Sequence, residues 1–340
     1  MKKYFLSNPN LKFGEIITSN NTNSGYNDIF EIFKSIKNNE TYLASPNKTD
    51  YHLDIINLKN NQLFISLKGH NNLINIVKYF INTNKIELLI SVDKNSLINI
   101  WDINNNYSNL YQIKGYHPRQ GLISSVLPYI INSNSYIIYS YNCKEYTNIY
   151  SLDKKEKLNI LASSNKYNTY YILLWLNKKD NKYYLFELSD GKIYVYNFLE
   201  NTLYSLINLG AFNSYKIISG FILEKNNNDY LVGCNINGIF FIYDLAKYCT
   251  VYNLYFGGRI HNKKAINLSY VLPWSEKYII VCEYYNKGLK IIDIDNFKVI
   301  TSIKGKYLGQ LISAKKFIHP IYGESLLTAS QDNNIILWKI

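Results

Sequence analysis

The feature that most constrains this chain is a unit that recurs seven times. Its most regular part is a closing pair of residues: Ile56-Asn57, Trp101-Asp102, Tyr150-Ser151, Tyr196-Asn197, Tyr243-Asp244, Ile292-Asp293 and Trp338-Lys339. The second members are separated by 45, 49, 46, 47, 49 and 46 residues. Even spacing of this kind is the mark of one supersecondary unit copied along the chain. Six residues before the first member of each pair stand Asp50, Asn95, Lys144, Asp190, Asn237, Asn286 and Asp332. Asp and Asn dominate that position because they tolerate tight-turn backbone angles and hydrogen-bond their own chain. Asp190-Gly191 and Asn237-Gly238 read as two-residue hairpin turns.

Between successive pairs the pattern is four short strands. In the fourth unit they are expected at 170–176, 182–188, 192–198 and 203–207, rich in Ile, Tyr, Phe and Val. Helical spacing is sustained nowhere. A lone four-stranded sheet of this size exposes both faces to water. Sheets set side by side around an axis bury those faces against each other, which is why such a unit has to repeat.

Gly69-His70 followed by Trp101-Asp102 resembles the signature of the WD-repeat β-propeller family, whose units open near Gly-His and close on Trp-Asp. The resemblance implies an all-β fold: a seven-bladed β-propeller with four antiparallel strands per blade. In that family a His, a Ser or Thr, a turn Asp and the Trp hydrogen-bond within a blade. His70, Ser91, Asn95 and Trp101 match those positions, with Asn in place of Asp, and Asp102 completes the closing pair. Ser330, Asp332 and Trp338 match three of the four in the last unit. All of these residues carry a structural role under this reading. In the other blades Tyr150, Tyr196 and Tyr243 fill the Trp position, and their hydroxyls require polar partners when buried.

The last unit ends at Ile340, directly after its third strand. An open edge there invites pairing. The segment 13–19 (Phe-Gly-Glu-Ile-Ile-Thr-Ser) lies where a missing outer strand belongs, so the last blade is expected to be closed by an N-terminal strand. The resulting organisation is an N-terminal tail over 1–12 and a single propeller over 13–340.

Composition narrows the function classes. The net charge of +12 comes from 37 basic residues, of which only Arg119 and Arg259 are arginine. No Lys/Arg block of nucleic-acid-arm length occurs, so the charge reads mainly as scattered surface lysine. No apolar run reaches the ~20 residues of a membrane span, and the N-terminus lacks a signal-peptide core. Cys143, Cys234, Cys249 and Cys282 show no Cys-x-x-Cys spacing, which suits free thiols in a reducing, intracellular setting, cytoplasmic or nuclear. The histidines, His52, His70, His117, His261 and His319, make no metal-binding pair. No phosphate loop, dinucleotide fingerprint or nucleophile elbow is present. Neither cofactor nor metal nor catalytic residue is expected.

Both arginines fall in loops that lead from the outer strand of one blade to the innermost strand of the next. Tyr116, His117 and Arg119 occupy one such loop, and Arg259 and His261 the other. In a propeller these loops share one face. Arginine's planar fork binds carboxylates and phosphates in two-pronged fashion, so the five residues form a candidate site for an acidic or phosphorylated protein or peptide. The expected function is a monomeric, non-catalytic interaction scaffold. Membership of an RNA-containing assembly through lysine–phosphate contacts is the alternative. A phosphoinositide-binding propeller and a propeller enzyme stand behind both, since Phe256-Gly-Gly-Arg259 lacks the adjacent arginine pair of the lipid-binding motif.

Overall fold

The computed structural model describes residues 29–47, 49–115, 121–142, 146–162, 168–209, 216–255, 268–283, 288–304, 311–330 and 335–339. These residues form strands joined by turns, with no helix among them. The strands make seven antiparallel sheets, each built from strands consecutive in sequence. We number the sheets one to seven along the chain. Sheet one comprises Glu31–Lys34, Thr41–Pro46, Leu53–Asn57 and Gln62–Leu67. Sheets two to six repeat this four-stranded meander. Sheet seven has three strands among the described residues, Leu311–His319, Gly323–Ser330 and Ile335–Lys339. The segment 13–19, expected as its outer strand, and the tail over 1–12 lie outside the described residues.

The spacing of the closing pairs has a local chemical cause. In sheets one to six the second member ends the third strand, and its side-chain oxygen accepts backbone N–H bonds at the turn that follows. Asn57 accepts from Lys59 (2.9 Å), Asp102 from Asn105 (3.1 Å), Ser151 from Lys154 (3.1 Å) and Asn197 from Glu200 (3.3 Å). Asp244 accepts from Ala246 and Lys247, both at 2.9 Å, and Asp293 from Asp295 (2.8 Å). Only a side chain with a short acceptor satisfies those N–H groups, hence Asn, Asp or Ser at each of these six positions. The residue after it is apolar and buried every time: Leu58, Ile103, Leu152, Phe198, Leu245 and Ile294. Its own N–H returns to the neighbouring second strand or the turn leading into it, as in Ile103 to Glu87 O (2.9 Å) and Leu245 to Asp229 O (3.0 Å).

The turn before the third strand differs from the expected two-residue hairpin. The strands end at Leu188 and resume at Lys192, and likewise end at Asn235 and resume at Ile239. The positive-φ residue is Gly191 in one and Gly238 in the other, one place after the expected Asp or Asn. In the second of these, Asn235 Oδ1 accepts from Asn237 N (3.1 Å) and Ile239 N (2.9 Å), so the organising side chain opens the turn.

By contacts the chain divides into two units, Met1–Ile138 with Ile149–Asn159 and Ile312–Ile340, and Tyr139–Asn148 with Ile160–Leu311. In the first, sheets one and two share a core of Phe33, Tyr42, Leu53, Ile55, Leu89 and Trp101. Glu87 of sheet two reaches the first turn of sheet one, where it accepts from Ser35 Oγ (3.1 Å) and Ile36 N (2.9 Å), and also from Tyr79 OH (2.7 Å). Sheet seven meets sheet one through Lys315 Nζ and Glu31 Oε2, 3.3 Å apart, so the first and last sheets are neighbours. In the second unit, Phe186, Leu188, Ile217, Leu231 and Phe241 join sheets four and five, and Val232, Phe240, Val271 and Ile279 join five and six.

Candidate binding surface

The residues singled out for a structural role converge in sheet two. His70 Nε2 lies 2.7 Å from Ser91 Oγ, and Trp101 Nε1 donates to the same oxygen at 2.9 Å. The carboxylate facing His70 belongs to Asp93, with Oδ2 3.1 Å from Nδ1. Asn95 does not hold that place. Asp93 Oδ1 accepts from the backbone N–H groups of Asn95 (2.8 Å) and Leu97 (3.0 Å), so one carboxylate both orients the histidine and organises the turn. The Asn95 side chain instead accepts from Asn72 Nδ2 (2.9 Å). Gly69 precedes the histidine because a Cβ there would sit 3.1 Å from Trp101 Cη2, on a backbone with φ of 154°. Every polar atom of this buried cluster that needs a partner has one, which is what its burial demands.

Strand register locates the equivalent slots elsewhere. Trp101 pairs with Leu89, and Ser91 with Asn99. In sheet four Tyr196 pairs with Leu185 and Glu187 with Tyr194, so Glu187 stands where sheet two has Ser91. Glu187 is 1% exposed and accepts from Thr147 Oγ1. Burial pushes its carboxyl up to about 7, against the favourable influence of Thr147 and Tyr196 on the charged form. In sheet five the slot is Gly233, and the Phe241 ring occupies the space a side chain would take. In sheet seven Trp338 pairs with Leu326, while Ser330 ends the second strand and Asp332 falls outside the described residues. Tyr116, His117, Arg119, Arg259 and His261 also lie outside them.

A surface that sequence reasoning missed lies between sheets four and five. A pocket of about 300 Å³ is lined by Trp175, Lys178, Lys179, Glu224, Asp229 and Tyr248, with Asn and aliphatic side chains between. Three turns converge to make it: those after the first strands of sheets four and five, and the turn after the third strand of sheet five. Trp175 Nε1 donates to Asp229 Oδ2 at 2.8 Å, and Lys178 bonds Glu224. Trp175 is held by Tyr184 and Phe186, at ring distances of 5.6 and 6.0 Å. The only hint in the sequence was the Trp itself, within the expected first strand of the fourth unit.

Next to this pocket the outer strands expose apolar side chains. Leu203, Tyr204 and Leu206 on Thr202–Asn208 are 46%, 52% and 46% exposed, and Tyr248 is 59% exposed. The hydroxyls of Tyr204 and Tyr248 are 3.1 Å apart, which joins the strand to the pocket. The strand itself, Thr-Leu-Tyr-Ser-Leu-Ile-Asn, carries no charge. Of the lysines nearby, Lys178 is engaged with Glu224, Lys182 with Glu200 (2.8 Å) and Lys225 with Asp295, while Lys179 on the pocket wall makes no such pair among the described residues. Among the described residues no group of three or more His, Cys, Asp or Glu is placed to hold a metal, and no helix is long and apolar enough to cross a membrane. Among the described residues Cys234, Cys249 and Cys282 are not joined in disulfides.

No family model and no curated protein sequence matches the chain. Among solved structures it is similar to the β-propeller domain of Cps50 (Swd1) from Myceliophteria thermophila. The TM-score is 0.69 at 12% identity, over 95% of this chain and 100% of that one. Identity so low transfers no activity, but the likeness together with the seven sheets establishes the architecture: the chain has the fold of a seven-bladed β-propeller.

Proposed function

We propose that this propeller is a non-catalytic platform for protein partners. The observation that carries the reading is the exposed strip of Leu203, Tyr204, Leu206 and Tyr248, continuous with a side-chain-sized pocket on a rigid, interlocked pair of sheets. Contiguous apolar surface bounded by charged residues marks interaction sites, and aromatic anchors dominate the energetics of such sites. The uncharged Thr202–Asn208 strand with its exposed Leu203, Tyr204 and Leu206 favours a protein over a polyanion at this place, because phosphate binding needs cations to replace counterions. The buried His70–Ser91–Trp101 network and the Gly69-His70 and Trp101-Asp102 pairs support a divergent WD-repeat origin. The arginine loops, with Tyr116, His117, Arg119, Arg259 and His261, add a second site on the platform, suited to an acidic or phosphorylated segment.

The test is recovery of partners by tagged protein from its own cell lysate at low and high salt. The same recovery is made with Leu203→Ser/Leu206→Ser and with Arg119→Ala/Arg259→Ala. Protein partners that survive high salt and are lost from the first variant support the reading. Recovery that collapses with salt or ribonuclease, and is indifferent to the first variant, overturns it in favour of the RNA-assembly alternative.

A further inference from the structure

We propose that His319 is an acid-release pin for the turn between the first and second strands of sheet seven. Its neutral ring ties the turn down, and protonation lets the turn open. The device is independent of any partner that the platform binds.

Four other sheets organise the same turn with a side-chain acceptor that does not titrate near neutrality. In sheet one Ser35 Oγ accepts from Lys37 N (3.2 Å), and in sheet two Asn82 Oδ1 accepts from Ile86 N (2.9 Å). In sheet four Asn177 Oδ1 accepts from Lys179 N (3.0 Å), and in sheet six Ser275 Oγ accepts from Tyr278 N (3.2 Å). In sheet seven the acceptor is His319 Nδ1, 3.1 Å from Ile321 N and 3.4 Å from Tyr322 N. A hydroxyl or amide oxygen keeps its lone pairs at any physiological pH. An imidazole gives up its acceptor nitrogen when it takes a proton, and it does so in the neutral to mildly acidic range. A protonated Nδ1 would point its N–H at two backbone N–H groups, so both bonds would become repulsions.

The surroundings offer the imidazolium no compensation. His319 is 2% exposed, with the rings of Tyr322 and Phe317 at 4.7 and 5.8 Å. Its Nε2 is buried too and has no hydrogen-bond partner among the described residues. The charged groups nearby are paired with each other. Lys316 on the same strand pairs with Glu324 on the second (3.4 Å), and Lys315 pairs with Glu31 of sheet one (3.3 Å). On the third strand Lys339 stands opposite Ser325. Burial is what acts on the ring, and it holds His319 below the ordinary imidazole value of 6.5. The tie is therefore complete above 6.5 and weakens as pH falls through and below that value. Little else holds the turn. Ile318 and Ile321, on either side of the pin, are 72% and 62% exposed, and Pro320 brings no N–H. Opening gives up little apolar burial, so the turn can open while the rest of the sheet stays folded.

The experiment records by NMR, on the full chain, the ring nitrogens of His319 and the amide exchange of Ile321 and Tyr322 from about pH 8 to about pH 5. The ring signals are assigned by their disappearance in His319→Asn. The expected ring carries its proton on Nε2 and titrates below 6.5. Exchange of the two amides, divided by its intrinsic rate, should quicken in step with that titration, by at most about tenfold per pH unit, the slope of one proton. The Ile86 amide, tied to Asn82, should keep its protection throughout. His319→Asn places an oxygen where Nδ1 stood, and should keep both bonds while abolishing their pH dependence. His319→Phe keeps a ring without an acceptor, and should leave the two amides unprotected at every pH. A ring protonated on Nδ1 at neutral pH, a ring that titrates above 6.5, or acid-dependent exchange that persists in His319→Asn overturns the proposal. Should a variant not fold, the wild type still settles the matter, since ring and amides that titrate at different pH values also overturn it.

Discussion

Glu187 makes the fold pH-sensitive in a direction opposite to that of most carboxylates. It is buried in sheet four, where one of its oxygens accepts from Thr147 Oγ1 and Thr147 and Tyr196 together only partly offset the cost of burial. Burial moves its carboxyl from an ordinary 4.5 to about 7. The folded protein thus holds a proton that the unfolded chain has already released between those two values. Stability falls as pH rises through that window and the full cost is present above it. At about 1.4 kcal/mol per unit, the cost of ionised Glu187 is on the order of 3 kcal/mol. Glutamine is nearly the same shape as the neutral acid, keeps an oxygen for Thr147 and cannot ionise. Glu187→Gln should therefore be more stable than wild type at alkaline pH and nearly equal to it in acid.

The assay is urea denaturation of both proteins across the range. The expected difference grows from under about 1 kcal/mol near pH 5 to about 3 kcal/mol near pH 8. For a chain of 340 residues that corresponds to roughly 4 °C in thermal midpoint. The quantity to compare is the change in the difference with pH, which is insensitive to any fixed cost of the amide. A difference that stays flat across the range would show that Glu187 is not the titrating group. A variant that loses ground against wild type as pH rises would show that its carboxylate is satisfied after all.

Three further outcomes follow from named contacts. Asp93→Ala removes the partner of His70 and the acceptor of two turn N–H groups, and should cost about 2–4 kcal/mol in chemical denaturation, whereas Asn95→Ala should cost under about 1 kcal/mol; equal costs would return the turn role to Asn95. Gly233→Ala places a Cβ 2.4 Å from Phe241 Cζ, so the ring must move, at a cost of about 1–3 kcal/mol that Phe241→Leu made in the same chain should partly relieve. Deleting residues 1–19 should lower the thermal midpoint if 13–19 pairs with Ile335–Lys339, and an unchanged midpoint and hydrodynamic radius would remove that segment from the closure of the last blade.

Much of the strand layout was legible in the sequence, because it is fixed by local chemistry. The strands expected at 182–188 and 192–198 are observed at Lys182–Leu188 and Lys192–Asn197. The closing pairs announce the turn to come through an acceptor side chain that must lie at one position. The misplacement of Asn95 for Asp93 has an equally local cause. Two polar residues stand in the same short turn, and spacing cannot say which oxygen faces the histidine. Glu187 was illegible for a different reason: its partner Thr147 lies 40 residues away, in the preceding sheet. The pocket was illegible for the same reason, since Trp175, Glu224 and Tyr248 meet only once sheets four and five are packed.

The contrast between turns and interior explains how the fold survives so little sequence likeness. A turn N–H that faces no acceptor is costly, so Asn, Asp or Ser closes the third strand in each of sheets one to six. The slot between the second and third strands obeys a looser rule, that its volume be filled and its polar atoms be answered. Ser91 with Trp101 meets it in sheet two and Gly233 with the Phe241 ring meets it in sheet five, while Glu187 beside Tyr196 meets it only at the cost of a perturbed carboxyl. Cores accept such exchanges when volume is kept. A pattern that depends on the Trp and His of every blade fades under these exchanges, whereas six evenly spaced turn acceptors with an apolar residue behind them do not. On this account, exchanging Asp244 for Ala should damage sheet five more than exchanging Tyr243 for Phe, although the aromatic is the larger side chain.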